Sequence, residues 1–260
     1  MNLERWETMA EDKNSGVIQN QDRINKLIDG LTLFDDDLMS RVFDKNIEAT
    51  ELLLRIILER KIKVISVNGQ EEMKSAAVGG RNITLDVHAL DENGEKMDIE
   101  VQGNSEGAHI RRARYHSSVL DSIMLKEGQE FKEIKDSYVI FIYKRDKFNE
   151  GLPLYHIDRY VRETGNLFED GSHIIYVNGN YKGDDEIGHL MQDFHQTDPD
   201  NMHYKELSQG VRHFKEVEEG FWMSGGHPFR TDRSGTETVI PCVKQYRNMR
   251  RNMQKRKRQS

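Results

Sequence analysis

The chain has one cysteine, Cys242, among its 260 residues. That excludes an internal disulfide and any zinc site built on several thiolates, and it agrees with a reducing compartment. Proline is scarce too, at four, which argues against a loop-rich chain. No run approaches the roughly 18 to 20 apolar residues needed to cross a bilayer. The opening MNLERWETMAEDKN is too acidic and polar for a secretory leader. A cytoplasmic protein with no membrane partner is expected. There is no G-x-x-x-x-G-K-[ST], G-x-G-x-x-G, G-x-S-x-G or H-E-x-x-H. Together these absences argue against NTPases, Rossmann oxidoreductases, α/β-hydrolases and zinc hydrolases. Helix-turn-helix and zinc-finger signatures are missing as well, so target selection on a nucleic acid would have to come from the body or the tail.

What is present is a soluble composition, 36% hydrophobic and 32% charged, in a chain long enough to bury a sizeable core; one main domain is expected. The net charge of -7 hides an asymmetry: residues 241–260 carry eight Lys or Arg and no acid, which leaves -15 on residues 1–240. An acidic body gives no general electrostatic argument for a nucleic-acid partner. Any such argument has to come from a site.

Periodicity organises the middle of the chain. LFDDDLMSRVF places Asp35 to Asp37 at a helix start, with Leu38, Val42 and Phe43 on one face. Ala49, Leu52, Leu53, Ile56 and Ile57 predict a helix, followed by a strand from Ile62 that stops at Asn68-Gly69. EEMKSAAVGGR, with Gly79-Gly80, reads as a loop. Ile110, Ala113, Ser117, Leu120 and Met124 predict an amphipathic helix running toward Gly128. SYVIFIY and HIIYVNG read as strands buried on both faces. A strand, a helix and a buried strand imply a crossover that sets 137–143 parallel to 95–102. Helices are expected at 184–194 and 202–218. SGGHPFRTDRSGTETVIP reads as loop or disorder, and the basic end as a solvated tail.

The stretch ITLDVHALDENGEKMDIEVQ is the informative one. It reads as two alternating strands, and a three-residue loop Glu92-Asn93-Gly94 with Gly94 left-handed gives the register that separates polar from apolar. Leu85 then faces Val101, Val87 faces Ile99 and Ala89 faces Met97. On the other face Asp86 opposes Glu100 and Thr84 opposes Gln102. Like charges so placed are destabilising. An exposed face with its charges in water is the plain reading. A parallel neighbour and a covering helix favour another, in which a divalent cation such as Mg²⁺ joins the carboxylates and supports phosphodiester hydrolysis.

The order helix, strand, Asp on a second strand, Glu-x-Gln on a third and then a crossover helix resembles the PD-(D/E)XK nuclease superfamily. With SYVIFI, HIDRY and SHIIYVNG following in order, about residues 30–218 look like its transposase-like branch of Rpn-type recombination-promoting nucleases. The resemblance implies an α/β, restriction-endonuclease-like core with a mixed central sheet flanked by helices. It divides the chain into an N-terminal arm (1–30), a nuclease-like domain (31–219) and an irregular basic tail (220–260). It also implies a DNA endonuclease dependent on Mg²⁺ or Mn²⁺, serving recombination or DNA mobility. Asp86 and Glu100 would be metal ligands, and Gln102 would be catalytic where most of the superfamily has lysine. Glu51 stands as a candidate additional helical acid, and Arg111, Arg112 and Arg114 as candidate phosphate contacts, Arg112 foremost. His88, beside Asp86, is a further candidate contact. Gly103 stands where relatives tend to have a basic residue. The alternative is a weak or inactive relative acting as a nucleic-acid-binding or assembly module; a homodimer stays open.

Deleting residues 241–260 should weaken DNA binding and flatten its salt dependence, by roughly 0.9 in slope for each phosphate that the tail neutralises. Fluorescence anisotropy over a salt series checks this. An unchanged slope would mean that the tail does not touch DNA.

Overall fold

The structure, a computed structural model, describes residues 25–73, 82–103, 107–223, 229–231 and 237–239. Residues 1–24 of the expected arm, the Gly79-Gly80 loop, the basic end 241–260 and the Asp37 side chain lie outside the described residues. The chain divides into two compact units, Thr32–Val211 and a second made of Met1–Leu31 with Arg212–Ser260.

The first unit is built on a six-stranded mixed sheet. Helices α1 (Asp36–Phe43) and α2 (Ile47–Leu58) precede strands β1 (Val64–Met73), β2 (Ile83–Asp91) and β3 (Lys96–Gln102). Helix α3 (Ile110–Ser122) leads to β4 (Ser137–Tyr143), then β5 (Leu154–Ile157), β6 (Ser172–Asn178) and helix α4 (Glu186–His195). The strand order is β1-β2-β3-β4-β6-β5. Neighbours are antiparallel at β1/β2, β2/β3 and β5/β6, and parallel at β3/β4 and β4/β6. The expected α/β architecture, a mixed sheet flanked by helices, is what forms, and β4 lies parallel to β3 as expected. A last helix, α5, spans Lys205–Met223.

Local chemistry explains the elements that position the site. The Asn46 side chain accepts from the Ala49 amide at 3.1 Å and caps α2, whose Ala49, Leu53, Leu54, Ile56 and Ile57 are buried. Helix α3 packs on β3, β4 and β6. Its Ala113 and Leu120 enter a core cluster with Leu85, Val139, Phe141, Tyr143 and Tyr176. Burying side chains of this size is worth about 1.5 to 3 kcal/mol each. The cluster therefore anchors α3 over the centre of the sheet.

Several expectations change. Strand β1 does not stop at Asn68-Gly69 but runs on to Met73. Gly69 is needed for close approach rather than for a turn: a Cβ there would lie 3.0 Å from the Ser40 carbonyl and 3.1 Å from the Asp44 Cβ. The left-handed residue of this strand is its neighbour Gln70, at a φ of +50°. Helix α3 ends at Ser122, well before Gly128, and its Ile110 is exposed while His116 takes the buried place. In the second unit, what reads as loop or disorder contains two strands, β7 (Phe229–Thr231) and β8 (Glu237–Val239), paired antiparallel. Phe229, Thr231, Thr238 and Val239 carry strand propensity, but three residues are too few for a visible alternation. The stretch Gly220–Met223 is helical, at the end of α5.

The hairpin follows the predicted register over Val87–Ile99, His88–Asp98, Ala89–Met97 and Leu90–Lys96. Gly94 adopts a φ of +84°, which a residue with a Cβ rarely tolerates. The Asp91 side chain stiffens the loop by accepting from the amides of Asn93 at 2.9 Å and Glu95 at 2.8 Å. The ladder ends at Val87–Ile99, so the expected oppositions of Leu85 to Val101, Asp86 to Glu100 and Thr84 to Gln102 are not part of it.

Gly69→Ala should destabilise the fold by about 1 to 3 kcal/mol, the usual cost of forcing atoms into a filled space. The midpoint of chemical denaturation reads it. A neutral result would mean that α1 can retreat from β1 at no cost.

Candidate active site

Where β2 and β3 part, side chains take over from the ladder. The Asp86 amide donates to Glu100 Oε1 at 3.1 Å, and the Val101 amide donates to Asp86 Oδ2 at 3.2 Å. Each carboxylate thus satisfies the other strand's backbone. The Gln102 amide joins the two, with Nε2 3.4 Å from Asp86 Oδ2 and 3.3 Å from Glu100 Oε2. The three residues singled out from the sequence are brought together.

Helix α3 completes the cluster from above the sheet. Arg112 Nη2 donates to Glu100 Oε2 at 2.6 Å. One turn on, His116 Nδ1 lies 2.7 Å from Asp98 Oδ2 and 3.6 Å from Glu100 Oε1. Asp98 and Glu100 have no solvent exposure, and Asp98 Oδ1 has no hydrogen-bond partner among the described residues. Burial raises the Asp86 carboxyl to about 8, helped by the charges of Glu100 and Asp36. Burial, then the charge of Asp98, raises Glu100 to about 7, against the opposing pull of His116 and Arg112. Asp98 is pushed well above the usual carboxylate range by burial and the Asp86 charge. Asp36, at the start of α1, is raised by burial and by Asp35.

With Asp86, Asp98 and Glu100 ionised, Arg112 and a charged His116 would still leave one negative charge in a low-dielectric setting, to which the exposed Asp36 adds. Such a charge is costly unless paired. A divalent cation fits that deficit, and carboxylate oxygens are the donors that Mg²⁺ and Mn²⁺ take. Ligand atoms of Asp98, Glu100 and His116 all lie within 4.8 Å of one another. Asp86 is outside that triplet but faces an open groove of about 840 Å³, along with Gln102, Arg111, Arg112, His109 and Tyr115.

The other candidates distribute differently. Glu51, the expected additional helical acid, does not join the cluster. Its Oε1 accepts from the Val64 amide at 2.8 Å, and the residue lines a separate groove with Glu48, Arg55 and Lys63. The acid that does reach Asp86 electrostatically is Asp36, which the sequence presents only as a helix start. His88 is buried and its Nδ1 lies 2.7 Å from Glu71 Oε2, so it does not line the groove. Arg111 and Arg114 are exposed, and of the two Arg111 lines the groove. A side chain at Gly103 would meet open space. Asp98 and His116 are functional candidates that the sequence reasoning misses, yet both carry a signal. Asp98 shares a strand face with Glu100 and Gln102, and His116 shares a helix face with Arg112.

Comparison with known proteins adds a family match. The model of a family described as PD-(D/E)XK nuclease family transposase matches residues 36–181, more than half of the chain. That span takes in every member of the cluster. No curated protein and no solved structure matches. No helix among the described residues is long and apolar enough to cross a membrane.

Raised carboxyls have a consequence for stability. The native state of the metal-free protein holds protons on Asp86 and Glu100 that the unfolded chain releases near pH 4, so their contribution is full below that pH and is lost as pH rises through about 7 to 8. In EDTA the thermal midpoint should fall between pH 5 and 8.5, at up to about 1.4 kcal/mol per pH unit for each such proton. Asp86→Asn should make the fall shallower. Calorimetry across pH checks both, and a midpoint that rises over this window would contradict the assignment.

Proposed function

The chain belongs to the PD-(D/E)XK nuclease family transposases, and from that premise we propose that it is a divalent-metal-dependent endonuclease that hydrolyses phosphodiester bonds in DNA. The observation that carries this reading is the carboxylate pair, bonded by Arg112 and open, through Asp86, to a groove with Arg111 and Arg112 on its wall. A Mg²⁺ or Mn²⁺ ion held by Asp86 and Glu100 would polarise the scissile phosphate and lower the pKa of the attacking water. Asp86 and Glu100 supply hard oxygen donors. Their mutual backbone hydrogen bonds hold those donors still, so little reorganisation is needed when a ligand arrives.

Gln102 takes the role that a lysine has in most of the superfamily. Its amide can donate a hydrogen bond to the phosphate or orient the water, but it brings no charge. Neutralisation then depends on the ion and on Arg112, whose guanidinium is 2.6 Å from Glu100. Arg111, exposed on the groove, suits contact with the phosphate backbone, which positions DNA without reading its sequence. Breaking DNA is the step of recombination or mobility that such a site would supply.

A second reading has its own support. The Gln102 amide and Arg112 both engage the carboxylates within the protein, and groups so occupied suit a weak or inactive nuclease acting as a DNA-binding or assembly module.

Nicking of supercoiled plasmid separates the two. Purified protein should nick in Mg²⁺ or Mn²⁺ and not in EDTA, Asp86→Ala and Glu100→Ala should fall to background, and Gln102→Ala should lose about 10² to 10³ in rate. Absence of metal-dependent nicking, or nicking that survives both acid substitutions, would favour the binding module.

A further inference from the structure

One helix faces both oxygens of Glu100. Arg112 donates to Oε2 at 2.6 Å, and His116, four residues later on α3, sits 3.6 Å from Oε1. The second distance is too long for a hydrogen bond. The shorter partner of His116 Nδ1 is Asp98 Oδ2, at 2.7 Å. Asp98 and Glu100 are two residues apart on β3 and share a face, so the imidazole is wedged between two fully buried carboxylates. Phe141 lies 6.0 Å away between ring centroids, and His116 also reaches the wall of the groove that Asp86 lines.

We propose that His116, fixed by Asp98, is a positioning residue that sets the orientation of the Glu100 carboxylate toward a divalent ion. The proposal rests on the metal reading above and deepens it. Although Asp98, Glu100 and His116 could be taken as three ligands, the 2.7 Å contact is a hydrogen bond between His116 Nδ1 and Asp98, and with the proton on Nδ1 that nitrogen has no lone pair left for a metal. Hydrogen-bonded supports of this kind orient ligands and tune affinity from one layer out. The pairing also accounts for a buried histidine beside the apolar stripe of this helix.

Two measurements test it. In wild-type protein, a long-range ¹H–¹⁵N spectrum of the histidine rings should show His116 protonated at Nδ1 both without Mg²⁺ and at saturating Mg²⁺; loss of that proton on adding Mg²⁺ would make His116 a ligand and overturn the proposal. Calorimetric titration with Mn²⁺ should show His116→Phe, checked for an intact thermal transition, binding about 10- to 100-fold more weakly than wild type. His116→Asn, whose Nδ2 can stand in for Nδ1, should recover affinity to within a few-fold. Unchanged affinity in His116→Phe, or no recovery in His116→Asn, would overturn it. Wild-type protein that binds neither ion would overturn the metal reading and this proposal together, whereas wild-type binding with an indifferent His116→Phe would overturn this proposal alone. If the Phe variant does not fold, the wild-type spectrum still decides.

Discussion

A buried backbone amide with no acceptor costs about 1 to 3 kcal/mol, and β2 and β3 face that cost where they separate beyond Val87 and Ile99. The Glu100 side chain meets it by accepting from the Asp86 amide, and the Asp86 side chain by accepting from the Val101 amide. Two acids are thereby tied into the sheet at the point where it opens onto the groove. The same bonds that repair the ladder fix both carboxylates in place, so the local defect and the preorganised site are one feature.

Everything around the pair can be understood as a response to its charge. Helix α3 brings Arg112 and His116, and its own place is held by Ala113 and Leu120 in the core shared with Phe141 and Tyr176. Asp98 and Asp36 push the other way and keep the cluster short of positive charge. The result is a site whose acids retain protons up to about neutral pH. A structural salt-bridge network would have matched its charges internally; this one does not.

The sequence signals that survived were those with a period. Alternation in 83–102 was enough to solve the register, because a slip of one residue would have mixed the two faces, and Gly94 confirmed the loop by its backbone sign. Signals without a period misled. Asn68-Gly69 has the composition of a turn, yet the glycine serves a close approach by α1, which no local pattern encodes. Glu51 sits on a helix, as an extra acid might, but that helix presents it to the first residue of β1. The short strands β7 and β8 were too brief to alternate visibly.

Strand spacing and helix spacing along the chain therefore determined the mixed α/β plan, the pairing of β2 with β3, and the meeting of Asp86, Glu100 and Gln102, because each depends on which face a residue occupies within one or two neighbouring elements. Only the tertiary structure decided that Asp36 rather than Glu51 reaches Asp86, and that Asp98 and His116 lie buried beside Glu100. It also decided that Arg112, of the two arginines on the groove, is the one that reaches Glu100. Those outcomes depend on how α1 and α3 pack across the sheet, a matter of contacts between residues far apart in the chain that no local periodicity carries.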